Sequence, residues 1–207
     1  MKKPIVEFIG TFFLVFAVGS TAAIAGFPGA LAPLAIAATL TALIYAGGHI
    51  SGAHYNPAVT IALYLRGNTR SAEVIPYLVA QIVAAVLAAI CVGLVHSPAE
   101  LAAASIPAGP SLLAEFLFTF ALVFVILNVA TAKGTEGNSF YGLAIGLIVA
   151  AGAYAVGPVS AAVFNPAVAI GGMTLGILPW SAIWIYLIAN FGGALVAAIV
   201  FRIVSDD

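Results

Sequence analysis

The chain has 207 residues, of which 64% are hydrophobic and only 6% are charged. Soluble globular proteins contain roughly 25% charged residues, so this composition excludes a water-soluble domain and predicts an integral membrane protein whose main solvent is the lipid bilayer. The net charge of −1 offers no basic surface to nucleic acid. The single cysteine, Cys91, excludes an intrachain disulfide, and no cluster of ligands or activated nucleophile predicts a metal site, a cofactor or an enzyme.

Six apolar segments are long enough to cross a bilayer, which takes about 20 residues each. In chain order they cover residues 4–25, 30–48, 72–96, 111–132, 139–157 and 179–204. Two further apolar segments, 56–66 and 165–175, would form only roughly 15 Å of helix, which is half of a bilayer core of about 30 Å. We therefore predict an all-α membrane fold of six transmembrane helices and two re-entrant half-helices, with residues 1–207 forming one domain.

The two halves of the chain repeat each other. Residues 7–16 (EFIGTFFLVF) and 115–124 (EFLFTFALVF) are identical at seven of ten positions. Each half, about 1–104 and 110–207, contains three spans, so the second half must enter the membrane from the opposite side. The chain is thus predicted to be an inverted repeat, whose functional site lies near the midplane where interrupted helices meet.

All six Lys and Arg residues fall on one side of this arrangement. They are Lys2, Lys3, Arg66, Arg70, Lys133 and Arg202. The loops predicted on the other side, near 26–29, 97–110 and 158–164, contain neither Lys nor Arg. Because positive charge accumulates in cytoplasmic loops, both termini are predicted to be cytoplasmic.

Each predicted half-helix opens on the same tripeptide, Asn56-Pro57-Ala58 and Asn165-Pro166-Ala167, 109 residues apart. Asn is a preferred N-cap residue, and Pro is favoured at the first helical position. If the Asn side-chain oxygens accept from the local backbone, their NH2 groups stay free to donate into a pore. Two half-helices that meet end to end would also direct the positive ends of their dipoles toward a solute.

The run from Gly48 to Thr60 (GHISGAHYNPAVT) resembles the first signature loop of the aquaporins, the major intrinsic protein family, and Val159–Val168 (VSAAVFNPAV) resembles the second more distantly. The resemblance spans essentially the whole chain. It implies a passive channel through which water and small neutral solutes cross the lipid bilayer. It also implies a homotetramer, in a membrane expected to be the plasma (inner) membrane. Half-helix dipoles help aquaporin-type channels to exclude protons and cations, and the same is expected here.

The resemblance also assigns roles outside the tripeptides. Pore-lining backbone carbonyls are expected at Gly52, Ala53, His54, Ala161 and Val163, since irregular backbone at membrane depth is tolerated where it lines a watery cavity. Glu7 and Glu115 are expected to support the re-entrant loops by accepting from their N–H groups, with a proton relay as the alternative. His49 and His54 are expected to help position the first loop, and His96 to be an exposed loop residue.

The outer constriction departs from the family pattern. Aquaporins ordinarily follow the second Asn-Pro-Ala with Arg, whereas this chain has Val168; the other filter positions are expected at Ile36, Ala153 and Ala162. Without a guanidinium the filter loses hydrogen-bond donors and a positive charge, so we predict a wide, apolar filter.

The solute stays open at this point. The channel could conduct water together with small neutral solutes, or mainly larger neutral solutes such as glycerol, urea and neutral metalloid acids such as arsenite, with little selectivity for water. A coupled secondary transporter is a more distant alternative, because inverted repeats and broken helices also occur in that class.

Overall fold

The structure, a computed structural model, describes residues 2–23, 29–96 and 103–205. All regular structure in these residues is helical. The helices are α1 (Lys2–Ala23), α2 (Ala32–Ser51), α3 (Pro57–Arg66), α4 (Ser71–His96), α5 (Ala108–Thr131), α6 (Tyr141–Ser160), α7 (Pro166–Leu175) and α8 (Ile183–Val204), with short 3-10 turns at Gly29–Leu31, Lys133–Thr135 and Trp180–Ala182. Six helices, all except α3 and α7, are long and apolar enough to cross a membrane, so the predicted fold is confirmed.

The two half-helices have matching start and stop signals. Each begins with proline directly after an N-cap asparagine, Asn56 or Asn165. Each ends after ten residues at a glycine, Gly67 with φ 90° or Gly176 with φ 88°. Glycine adopts this left-handed conformation without the steric cost of a Cβ atom. The Asn-Pro pair at the start and the glycine at the end therefore set the short length of each half-helix.

Each half-helix packs against spans of the other half of the chain. α3 lies against α8 and α5, whereas α7 lies against α4 and α1. Within the halves, α1 packs on α2 and α4, and α5 packs on α6 and α8. Because each half-helix packs against the other half of the chain, the two asparagine caps come together in the interior of the bundle.

Glycines allow two of the helix pairs to approach closely. A Cβ atom at Gly193 in α8 would lie 2.5 Å from the Phe116 carbonyl oxygen of α5. At Gly146 in α6 it would lie 2.8 Å from the Ala37 carbonyl oxygen of α2. Close backbone packing of this kind stabilises helix pairs in lipid, where hydrophobic burial between helices contributes little.

The basic residues lie at one end of the bundle, as the six-span arrangement predicts. Lys3 and Arg70 share the Glu73 carboxylate, with nitrogen–oxygen distances of 2.8 and 2.6 Å. Arg66, at the end of α3, lies 5.0 Å over the Phe201 ring near the end of α8. Of the opposite loops, residues 26–28 and 97–102 lie outside the described residues, as do residues 24–25 of the first predicted span.

Candidate functional site

The two asparagines cap their half-helices in the same way. The Asn56 side-chain oxygen accepts from the Ala58 N–H, and the Asn165 oxygen accepts from the Ala167 N–H, both at 2.9 Å. Both side chains are buried. The oxygen of each amide therefore faces its own helix, and the NH2 group faces the junction between the repeats.

Those NH2 groups are only partly free, which corrects the sequence-based expectation. Asn56 Nδ2 donates to the Phe164 carbonyl and Asn165 Nδ2 donates to the Tyr55 carbonyl, both at 2.9 Å. Each bond joins one repeat to the other and uses one of the two amide hydrogens. One hydrogen on each asparagine is left to meet a solute.

Both asparagines line a cavity of about 1360 Å3 that extends to both ends of the bundle. Its wall includes Lys3 and Asn68 at the basic end, and Thr21 and Gly29 at the opposite end. The predicted filter and carbonyl residues all line it as well: Ile36, Ala153, Ala162, Val168, Gly52, Ala53, His54, Ala161 and Val163. The cavity is therefore a path along the bundle, with the asparagines between its two ends.

The four predicted filter residues come from four different segments. Ile36 lies on α2, Ala153 on α6, Ala162 in the segment before α7, and Val168 in the first turn of α7. Val168 is 7% exposed. None of these four side chains contains a hydrogen-bonding group, so these residues can bind a polar solute only through their backbone groups.

Glu7 is fully buried and accepts four hydrogen bonds. They come from the Ser51 hydroxyl at 2.7 Å, the His54 N–H at 2.9 Å, the Tyr55 N–H at 2.7 Å and the Gln81 amide at 2.9 Å. A carboxylate has about four lone-pair sites, so these donors saturate it.

Glu115 repeats this arrangement in the second half. It accepts from the Ser160 hydroxyl at 2.7 Å, the Val163 N–H at 2.8 Å, the Phe164 N–H at 2.7 Å and the Asn190 amide at 3.0 Å. Neither carboxylate keeps an acceptor site for a transported proton or cation. The geometry favours loop support over the proton-relay alternative.

The re-entrant segments have left-handed backbone at matching positions. The φ angles are 51° at Ala53 and 49° at Tyr55, and again 51° at Ala162 and 49° at Phe164. This conformation costs an L-residue roughly 1–2 kcal/mol, which the bonds to the buried carboxylates offset. Because the C=O and N–H of a trans peptide point in opposite directions, the carbonyls of Ala53 and His54 point away from Glu7.

Sequence analysis missed the polar residues that hold the carboxylates in place. They form three pairs, each 109 residues apart: Ser51 with Ser160, Tyr77 with Tyr186, and Gln81 with Asn190. The two tyrosine hydroxyls donate to the two serine carbonyls at 2.7 and 2.8 Å. A signal was available, because each pair is a polar side chain that recurs at the offset of the Asn-Pro-Ala tripeptides.

Two of the three histidines differ from expectation. His49 is exposed rather than packed against the loop, and no group in the described ranges hydrogen-bonds its side chain. His54 is instead buried, with Nδ1 3.1 Å from the Thr60 hydroxyl. His96 is not a loop residue: it is the last residue of α4, half-buried with Nε2 3.1 Å from the Ser20 hydroxyl.

Six spans, two half-helices capped by asparagine and a continuous cavity between them define a membrane channel of the aquaporin type. The pattern of the family described as "Major intrinsic protein" matches residues 1–201, and the chain belongs to this family. It is a passive channel for water or small neutral solutes, and members of the family are not enzymes.

Similar proteins include plant and bacterial members. "Aquaporin NIP1-4" of Oryza sativa subsp. japonica is 36% identical over 217 residues, which cover 99% of this chain and 77% of that protein. "Glycerol uptake facilitator protein-like 6" of Lactiplantibacillus plantarum is 35% identical over 217 residues, covering 100% of both. Among solved structures, the aquaglyceroporin from Plasmodium falciparum has a TM-score of 0.83 at 22% identity, over 98% of this chain and 96% of its own, which shows a shared fold.

Proposed function

We propose that this channel conducts neutral solutes of the size of glycerol and urea together with water, and selects only weakly between them. The observation that supports this most directly is Val168, an aliphatic side chain on the cavity wall where aquaporins ordinarily have arginine. Selectivity needs a tight pore whose polar groups replace the hydration of the chosen solute. A filter of Ile36, Ala153, Ala162 and Val168 has neither aromatic nor polar side chains.

The names of similar proteins support both solutes. One relative is named a glycerol uptake facilitator-like protein and another an aquaporin. Neutral metalloid acids such as arsenite belong to the same proposed class, since they are small, uncharged and rich in hydroxyl groups. Their hydroxyl hydrogens match a pore whose polar wall consists mostly of acceptors.

Those acceptors are proposed to be the backbone carbonyls of the re-entrant segments. Gly52, Ala53 and His54 would form one half of the row, and Ala161 and Val163 the other. A solute would exchange hydrogen bonds from one carbonyl to the next while its apolar side contacts the aliphatic wall. This row lets a polyol lose water without leaving its hydroxyl groups unpaired.

Charge exclusion is proposed to reside at Asn56 and Asn165. The free amide hydrogen on each asparagine would bind the oxygen of a passing water, so that its own hydrogens point away and the proton wire is interrupted. The positive ends of α3 and α7 would repel cations there, as half-helix dipoles do in aquaporin-type channels generally. Without an arginine at the filter, exclusion depends on this level alone.

Coupled transport is the less favoured function. It requires an ionisable group that binds and releases the coupling ion near the midplane. Glu7 and Glu115 are the buried carboxylates at that depth, and each already accepts four hydrogen bonds.

The proposed setting of the channel follows from charge and family. The end that bears Lys and Arg would face the cytoplasm, placing both termini there. Residues 1–207 would act as one domain in the plasma (inner) membrane, assembled as a homotetramer in which each chain has its own pore.

The proposal is tested by light scattering of proteoliposomes after rapid mixing with sucrose, glycerol or urea. We expect faster water efflux than in protein-free liposomes, followed by faster reswelling with both glycerol and urea. Fast water efflux with glycerol and urea entering only at the protein-free rate would show a water-selective pore and contradict the proposal.

A further inference from the structure

A second pocket, of about 680 Å3, lies at the basic end of the bundle. It is formed where α1 and α4 begin and α2 ends. Its polar wall comprises Lys2, Lys3, His49, Arg70 and Glu73. These groups lie at the level where two membrane spans start, which is the level of lipid headgroups.

The pocket is positively charged and partly preorganised. Three cations face one carboxylate, which leaves a net charge of +2 with His49 neutral. Glu73 Oε1 accepts from Lys3 Nζ at 2.8 Å and from Arg70 Nε and NH2 at 3.1 and 2.6 Å, so it holds the two cations side by side. The Arg70 side chain is still 80% exposed, and within the described ranges Lys2 has no hydrogen-bond partner. Donors are therefore left over for a ligand.

We infer that this pocket binds the phosphate headgroup of an anionic phospholipid. Phosphate is the ligand that arginine and lysine together recognise best, through charge-assisted bonds to several oxygens. Basic pockets between transmembrane helices on the positively charged side of a membrane protein bind such headgroups. Glu73 does not oppose this, because its charge is already matched by Lys3 and Arg70.

The apolar wall favours a lipid over free phosphate. The apolar part of the wall consists of Pro4, Ile50, Ala72 and Pro76, and Tyr77 also lines the pocket. Next to it on α1 and α4, Ile5 is 57% exposed and Ile75 is 65% exposed. An inorganic phosphate would gain nothing from these surfaces, whereas the glycerol and upper acyl chain of a phospholipid would cover them.

The pocket adjoins the pore. Lys3, His49, Ile50 and Glu73 line both the pocket and the channel cavity. A headgroup bound here would therefore lie beside the mouth of the pore, next to the path of the solute.

Native mass spectrometry of the detergent-purified protein with added phosphatidylglycerol or phosphatidylcholine tests this inference. We expect the wild type to bind phosphatidylglycerol more tightly than phosphatidylcholine. In the double variant Lys2→Gln/Arg70→Gln the phosphatidylglycerol affinity should fall about fivefold for each charge removed. The matched control is Lys133→Gln, which removes a charge from the same end of the bundle but outside this pocket, and it should bind like the wild type.

Three results would overturn the inference. The double variant could bind phosphatidylglycerol as tightly as the wild type, or the Lys133→Gln control could lose as much affinity per charge, which would indicate general surface attraction. Inorganic phosphate could also displace phosphatidylglycerol at comparable concentration, which would identify the ligand as a free anion. The double variant and the control change only exposed side chains, so both should fold.

Discussion

The residue that follows each Asn-Pro-Ala tripeptide is a valine in both halves of the chain, Val59 and Val168. Both side chains are buried and line the pore cavity. The symmetry has different consequences at the two places, because only Val168 lies among the predicted filter residues. At that position this chain has an aliphatic side chain where aquaporins ordinarily have arginine.

Val168→Arg should therefore make the filter narrower and polar. We expect the glycerol-to-water permeability ratio to fall about tenfold, an added barrier of about 1.4 kcal/mol for glycerol, while water flux is largely kept. The guanidinium would need acceptors, which we expect the backbone carbonyls of the segment before α7 to provide, so the variant should fold. Val168→Leu adds volume without a hydrogen-bond donor, so comparing it with Val168→Arg separates the effect of side-chain size from that of polarity. An unchanged ratio in well-folded Val168→Arg would show that position 168 does not set selectivity.

The buried carboxylates should be essential to the shape of the pore. Glu115→Gln replaces one acceptor oxygen by a donor that faces other donors, and unsatisfied buried groups cost about 1–3 kcal/mol each. We expect a clear drop in thermal unfolding temperature and loss of flux. Glu136→Gln, in an exposed turn, is the control and should change neither. Wild-type stability and flux in Glu115→Gln would refute the support role.

Mercurial reagents should not block the wild-type channel. Cys91 is the single cysteine, lies on α4 and is not among the residues that line the cavity. Ala162→Cys places a thiol on the cavity wall and should make water flux sensitive to mercury. Inhibition of the wild type that disappears in Cys91→Ser would show that Cys91 reaches the pore.

At the scale of elements, the two half-helices are held by different hydrogen bonds. In the first half, Gln81 donates to Thr60 on α3 at 3.0 Å. In the second half, the shorter Asn190 donates instead to Thr119 on α5, also at 3.0 Å. The residue that corresponds to Thr60 is Ala169. α3 is thus bonded to a scaffold helix through its own side chain, whereas α7 depends on its cap, its loop and apolar packing.

The sequence predicts the positions of the helices but not the hydrogen bonds between them. Hydropathy and length located the eight α-helices of the described residues, since a span or half-span needs a set number of apolar residues. The repeat offset aligns Gln81 with Asn190, but a one-methylene difference in side-chain length changes the bonding partner. Such choices depend on distances between segments that are far apart in the sequence.

Two adjacent glycines of α8 provide a test of the packing between α5 and α8. Gly193→Ala brings a Cβ atom to 2.5 Å from the Phe116 carbonyl oxygen, and we expect a loss of about 1–3 kcal/mol. Gly192→Ala is the matched control, with ordinary contacts of 3.4 Å to the Phe116 ring. It should be neutral or gain up to about 1 kcal/mol from helix propensity. Equal unfolding temperatures for both variants would contradict the packing described here.

At the scale of the whole molecule, the inverted repeat places two similar half-sites face to face. Each asparagine cap donates to a carbonyl of the other half, so the pore centre belongs to neither half alone. The chemistry of the centre could be predicted from the tripeptides. The cross-bonds could not, because they join residues 108 and 110 positions apart.

The central claim is passive conduction of neutral solutes with exclusion of protons, and one measurement tests it most directly. Proteoliposomes that contain a pH-sensitive dye and an acidic internal buffer are mixed with a more alkaline buffer that contains excess glycerol. Reswelling and internal pH are recorded together. We predict reswelling faster than in protein-free liposomes, at a rate proportional to the glycerol gradient, while the pH gradient decays no faster than in those liposomes. Reswelling at the protein-free rate, or reswelling that collapses the proton gradient, would contradict the account.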